Sequence, residues 1–204
     1  MLRRYTQAAA QSVEERCDLC GEPIPPEHRH LLDVTPRQIR CVCRPCSILF
    51  DRREASQGTY RLIPERRLAL NDFRMSDAQW ERLRIPVGMA FFTESTPDRR
   101  VVAFYPGPMG PTQSMLELDA WAELTLDNPI LMTLEPDVEA LLINRARGAE
   151  QYFLVPIDDC FRLVGLIRLN WRGLSGGREV WDEINRFFAD LTRQAKVAYV
   201  RHIP

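Results

Sequence analysis

CDLCGEPIPPEHRHLLDVTPRQIRCVCRPC, residues 17–46, holds five of the chain's six cysteines and two of its three histidines. Thiolate and imidazole are the donors that Zn2+ prefers, four of them closing a tetrahedral site. Two C-x-x-C steps, Cys17/Cys20 and Cys43/Cys46, each set two sulfurs on one tight turn, and these four are the expected metal ligands. The 22 residues between Cys20 and Cys43 slightly exceed the roughly 15–20 of common zinc ribbons. Cys41 stands two residues before Cys43, so on one strand both would face the same way. It either replaces Cys43 as a ligand or lies beside the site as a buried thiol. His28 and His30 are further alternates, either of which would give a set of three cysteines and one histidine.

Around these ligands, Pro23, Pro25 and Pro26 keep the chain irregular. His30–Val34 and Gln38–Val42 then form two short strands about Thr35-Pro36. A β unit this small buries too little surface to fold alone, and a metal commonly substitutes for a core. The expectation is a zinc-ribbon or rubredoxin-like module over 17–50. Iron is the alternative to zinc, since an iron centre held by four cysteines carries one electron. Rubredoxin knuckles are followed by glycine; here Gly21 follows the first, but Ser47 follows the second.

Outward from the module, residues 1–16 read as a short lead. Residues 51–75 are charged and arginine-rich, a linker with a weak strand at Thr59–Ile63. Residues 76–204 carry the punctuation of an α+β domain. Ser76-Asp-Ala-Gln79 is a capping box for a helix over 77–84, stopped before Pro86. Val87–Thr93 and Arg100–Tyr105 read as a hairpin, and Pro106–Pro111 as a loop. Ser114 with Glu117 opens a helix ending near Asp127-Asn128-Pro129, and Pro136 opens another that closes at Gly148. Gln151–Pro156 and Arg162–Asn170 read as a second hairpin. Val180, Trp181, Ile184, Phe187, Phe188, Leu191, Ala195 and Ala198 mark one face of a final helix. An antiparallel sheet covered by helices is the economical arrangement.

Composition excludes several classes of function. Net charge is −1, which gives no field for nucleic acid or an anionic membrane. Residues 1–67 carry 12 arginines against 9 acids, an excess too small to mark a nucleic-acid surface without interleaved aromatics. Lys196 is the only lysine, which removes Schiff-base and phosphate-loop chemistry unless it serves. No window reaches the 18 or so apolar residues of a membrane span, and no signal follows Arg3-Arg4. The expected compartment is a reducing cytoplasm, where clustered cysteines are metal ligands rather than disulfides.

Other residues invite catalytic readings and fail them. Asp158-Asp159 and Cys160 read as a solvated turn and a small core residue, with no histidine nearby in sequence to activate the thiol. His202 lies near the terminus. Tyr105, Met109, Met115 and Trp121 read as packing before they read as a pocket, and Gly176-Gly177 as a turn before an anion site. No nucleophile–base pair, phosphate loop or dinucleotide fingerprint is present, so the sequence leans away from an enzyme.

The segment YFLVPI (152–157) with LVGLIRL (163–169) and the helix after it resembles the C-terminal half of GAF-type sensory domains. There a V-P-I/L strand and a V-G-L/V strand precede a closing helix, which implies a GAF/PAS-like body and a ligand-sensing regulator. Taken whole, the chain resembles a bacterial family whose genes lie in uptake nickel–iron hydrogenase clusters. That resemblance rests on CDLCGEPIPPEHRHLLD and CVCRPC in the head, and on IPVGMAFF, VVAFYPGPMG, LEPDVEALL, YFLVPIDDC and VGLIRLNWRGLSGG in the body. It implies an accessory role in maturation, in metal or electron handling, or in docking to a hydrogenase subunit or maturation factor. The leading expectation is a cytoplasmic metal-binding accessory protein that works through a protein partner. A rubredoxin-like electron carrier and a GAF-like regulator are the alternatives.

Overall fold

The computed structural model describes residues 14–199, apart from 52, 57, 115–117, 174 and 175. The chain divides into two compact units, Met1–Leu62 and Ile63–Pro204. Most of the lead, the Glu117 half of one capping box, Met115 and His202 lie outside the described residues.

The first unit is built on a three-stranded antiparallel sheet. β1 (Arg29–Asp33) and β2 (Gln38–Val42) form the hairpin about Thr35-Pro36, with His30 opposite Cys41 and Leu31 opposite Arg40. β3 (Tyr60–Leu62) pairs with the other edge of β1. The strand expected within the linker therefore completes this sheet. A short helix, α1 (Arg44–Leu49), follows β2 directly, with Cys43 at its N-cap. The core cluster around the cysteines is small: Cys17, Ile24, Leu31, Val42 and Cys43 are buried, and Phe50 and Tyr60, edge to face with each other, pack against it. Two of these five residues are cysteines, so cysteine chemistry and folding are not separable here.

The second unit is a seven-stranded sheet with helices on both faces, an α+β architecture. Its strands are β4 (Leu68–Leu70), β5 (Met89–Ser95), β6 (Arg100–Gly107), β7 (Gly110–Ser114), β8 (Glu139–Asn144), β9 (Gln151–Pro156) and β10 (Lys196–Ala198). Their order is β10-β4-β9-β8-β5-β6-β7, antiparallel except where β10 joins β4. Among the described residues four α-helices accompany them: α2 (Asp77–Arg82), α3 (Leu118–Asp127), α4 (Ile157–Asn170) and α5 (Gly177–Gln194). Every residue of β8 is buried, which marks a central strand covered on both sides. On one face Phe92 stacks on Trp121 of α3; on the other, Phe91 meets Phe161 of α4 and Phe153 stacks on Phe188 of α5.

Several elements differ from the sequence expectation, each for an identifiable reason. Residues 139–144, expected in a helix, form β8, because a continuous apolar run has no period to separate helix from buried strand. Residues 162–170, expected as the second strand of a hairpin, belong to α4. Its buried Ile157, Cys160, Leu163, Val164 and Ile167 recur at helical spacing. The second of the two strands behind the GAF resemblance is thus a helix. Pro106 and Pro111, expected in a loop, pair across the tight β6–β7 hairpin. The β5–β6 pairing ends at Phe104, and β7 is an edge strand, so neither proline removes a needed ladder bond. Ser114 ends β7 rather than capping a helix. Finally, α5 ends at Gln194, so Ala195 and Ala198 are not on its face; Ala198 lies in β10.

The capping box of α2 forms as its sequence implies. Ser76 Oγ accepts from the Gln79 amide at 3.2 Å, while Gln79 Oε1 accepts from the Ser76 amide at 2.8 Å. Ser76→Ala is expected to destabilise the second unit by about 1 kcal/mol, seen as a lower urea midpoint of tryptophan fluorescence. All four tryptophans, at 80, 121, 171 and 181, lie in this unit, so the signal reports on it alone.

Candidate metal centre

Two knuckles deliver the four thiols. The first knuckle turns through Cys17–Cys20 and is closed by the Gly21 amide donating to the Cys17 carbonyl at 2.9 Å. Gly21 sits at φ +77°, a left-handed conformation that costs other residues more, although a Cβ there would touch nothing. The Cys17 amide donates to Glu22 and the Asp18 amide to the Cys41 carbonyl, both at 2.8 Å, fixing the knuckle against β2. The second knuckle is the opening turn of α1. Cys43 is extended, Pro45 occupies the first turn where no amide is needed, and the Ser47 amide donates back to the Cys43 carbonyl at 2.9 Å.

Cys17, Cys20, Cys43 and Cys46 are thereby brought together, with their ligand atoms within 4.8 Å of one another. Cys20 Sγ and Cys43 Sγ are 3.5 Å apart, and no cysteine of the chain is in a disulfide. A tetrahedron with Zn–S bonds of about 2.3 Å has sulfur–sulfur edges of about 3.8 Å. The cluster therefore fits one ion within small side-chain adjustments and could hold a metal. Four thiolates suit a soft or borderline ion, and they would fill a tetrahedral shell completely.

Cys41 does not belong to this group. β2 ends at Val42, and the chain turns into α1, so the two-residue spacing of Cys41 and Cys43 does not put them on one strand face. Cys41 instead lies with His28 and His30 in a second group of possible ligands, again within 4.8 Å of one another. The residues expected as alternates for one site are therefore gathered at another place.

The thiols differ in acidity. Burial raises Cys17, but hydrogen bonds from the backbone of Cys43, Leu19 and Cys20 outweigh it and hold its pKa at about 6. Burial raises Cys46, and hydrogen bonds with the neighbouring thiols Cys43, Cys20 and Cys17 raise it further. A metal binds thiolates, so binding must displace the protons that remain. At pH 7 Cys17 is already mostly ionised, and fewer than four protons should leave per ion bound at these four residues. Below about pH 6 Cys17 also protonates, and affinity should fall more steeply with acid. Calorimetric titration in buffers of different ionisation enthalpy measures both effects.

Residues elsewhere assemble no reactive centre among the described residues. Asp159 lies in the first turn of α4, not in a solvated turn, and its buried carboxylate is held by Arg67 at 2.6 and 3.2 Å and by Arg162 at 3.1 Å. Cys160 is fully buried, and burial raises its thiol well above the ordinary range, which leaves it protonated and inert. Trp121 is packed on Phe92, while Met109 is exposed at the tip of the β6–β7 hairpin. Gly176 caps α5 at φ +87° within a turn closed by the Arg172 amide. No helix among the described residues is long and apolar enough to cross a membrane.

Taken together, fold and cluster define an α+β protein with an N-terminal four-cysteine group able to hold a metal. The sequence matches a family of unknown function, DUF5947, over residues 16–195, and the chain belongs to that family. Neither a curated protein nor a solved structure matches it.

Proposed function

We propose that this is a metal-binding accessory protein whose Cys17, Cys20, Cys43 and Cys46 hold Zn2+ in a closed structural site. The observation that carries the reading is the convergence of four reduced thiols at tetrahedral spacing in a core too small to fold unaided. A closed shell leaves no position for substrate, so the centre fastens the first unit and the protein acts by docking. Ile48 and Leu49, exposed on α1 beside Cys46, give the first unit an apolar edge for a protein partner. The full-length resemblance to proteins encoded with nickel–iron hydrogenases supplies the choice of partner: a hydrogenase subunit or maturation factor in the cytoplasm.

Metal analysis and a visible spectrum of protein purified without added metal test the first half. A colourless protein with zinc, lost from Cys17→Ser/Cys20→Ser, is expected. Stoichiometric iron with thiolate-to-iron absorption would replace this reading with the electron carrier. For the second half, deletion of the gene in a hydrogenase-bearing host should lower mature hydrogenase. Unchanged activity would remove the hydrogenase assignment.

A further inference from the structure

We propose that His28, His30 and Cys41 form a second metal site. It takes a divalent first-row transition ion on two imidazoles and one thiolate, with a coordination position left for solvent or a small ligand. This site shares no residue with the four-cysteine cluster.

His30 and Cys41 are direct partners across β1 and β2, so the hairpin itself fixes their spacing. His28, one residue before β1, brings its ring edge-on to His30 with centroids 5.0 Å apart. One ligand atom from each of the three lies within 4.8 Å of the others. The orientation of His28 is the decisive feature. Its side chain is only 7% exposed. Its Nδ1 lies 2.9 Å from the Pro25 carbonyl, which can only accept, so Nδ1 carries the proton and Nε2 keeps its lone pair. That Nε2 is buried and has no hydrogen-bond partner among the described residues.

An unpartnered buried acceptor is costly, and native structures rarely tolerate one without a missing partner. A carbonyl holding one imidazole nitrogen while the other faces an ion is the usual outer support of a metal-bound histidine. Charge agrees with this: Glu15 Oε2 lies 3.7 Å from His28 Nδ1, and Asp18 Oδ2 accepts from the Cys41 amide at 2.7 Å. Two carboxylates beside the trio favour a cation there. Three protein donors with an open position is the composition of reactive rather than purely structural zinc sites.

The test uses the full chain, stripped of metal under reducing conditions and titrated with Co2+ as a spectroscopic probe, then with Zn2+. Two equivalents are expected to bind. His28→Gln and Cys41→Ser should each reduce the count to one, with the four-thiolate absorption unchanged. Two equivalents persisting in both variants would overturn the proposal. Should the variants not fold, X-ray absorption of the zinc-loaded wild type decides, since the site requires nitrogen donors in the averaged shell. A single equivalent with an all-sulfur shell overturns it. One equivalent with mixed nitrogen and sulfur donors, retained in Cys17→Ser/Cys20→Ser, upholds it and removes the four-thiolate reading instead.

Discussion

Cys17→Ser/Cys20→Ser should unfold the first unit and leave the second folded. Binding free energy at a structural zinc site of this kind is about 10–16 kcal/mol, and it is folding free energy where no competing core exists. The buried apolar residues that would compete here are Ile24, Leu31, Leu32, Val34 and Val42, together with two of the cysteines themselves. At about 1.5–3 kcal/mol for each fully buried aliphatic side chain, five such residues cannot offset the ordering of a unit this size. Heteronuclear NMR spectra should lose dispersion for residues 14–62 and keep it for the second unit. Tryptophan fluorescence should not change, because all four tryptophans lie beyond Leu62. A first unit that stays dispersed without its first knuckle would show that the metal is dispensable for folding. Loss of the tryptophan signal as well would show that the two units fold as one.

The first unit was largely legible from its residues, because its signals are chemical and local. C-x-x-C spacing, a proline-broken lead into the hairpin and a turn at Thr35-Pro36 fix the knuckles and the register almost without reference to the rest of the chain. That register places His30 opposite Cys41, which already hints at a second group of ligands. What hid it was the two-residue spacing of Cys41 and Cys43, which invites one shared strand face; β2 ends at Val42, and Cys43 turns away as the N-cap of α1. In the second unit the misreadings fall where burial erases period. β8 is covered on both faces and shows no alternation, while α4 carries Gly165 and β-branched residues that imitate a strand. α5 was readable because one of its faces meets solvent.

Arg66 and Arg67 had no visible role in the sequence, yet their loss is the second large effect expected. They are adjacent in the irregular segment before β4 and reach two different carboxylates. Arg66 Nε and Nη2 donate to the two oxygens of Glu139 at 2.8 and 2.5 Å, and Nη2 also donates to the Thr133 carbonyl at 2.8 Å. Arg67 makes the matching fork to Asp159. Glu139 is 1% exposed at the start of the central strand, so Arg66→Ala leaves its buried carboxylate without a counter-ion, holding only the Glu135 amide at 3.0 Å. The expected cost is about 3–5 kcal/mol, the range for breaking a buried ion pair from one side. Arg67→Ala should cost less, because Arg162 remains 3.1 Å from Asp159. Urea unfolding followed by tryptophan fluorescence measures both. The pair itself need not be net stabilising, so Arg66→Met/Glu139→Leu should recover most of the loss. If Arg66→Ala costs less than about 1 kcal/mol, like an exposed pair, Glu139 is either reached by water or protonated when alone. If the double substitution is as damaging as the single one, the fork positions the segment before β4 rather than neutralising a charge.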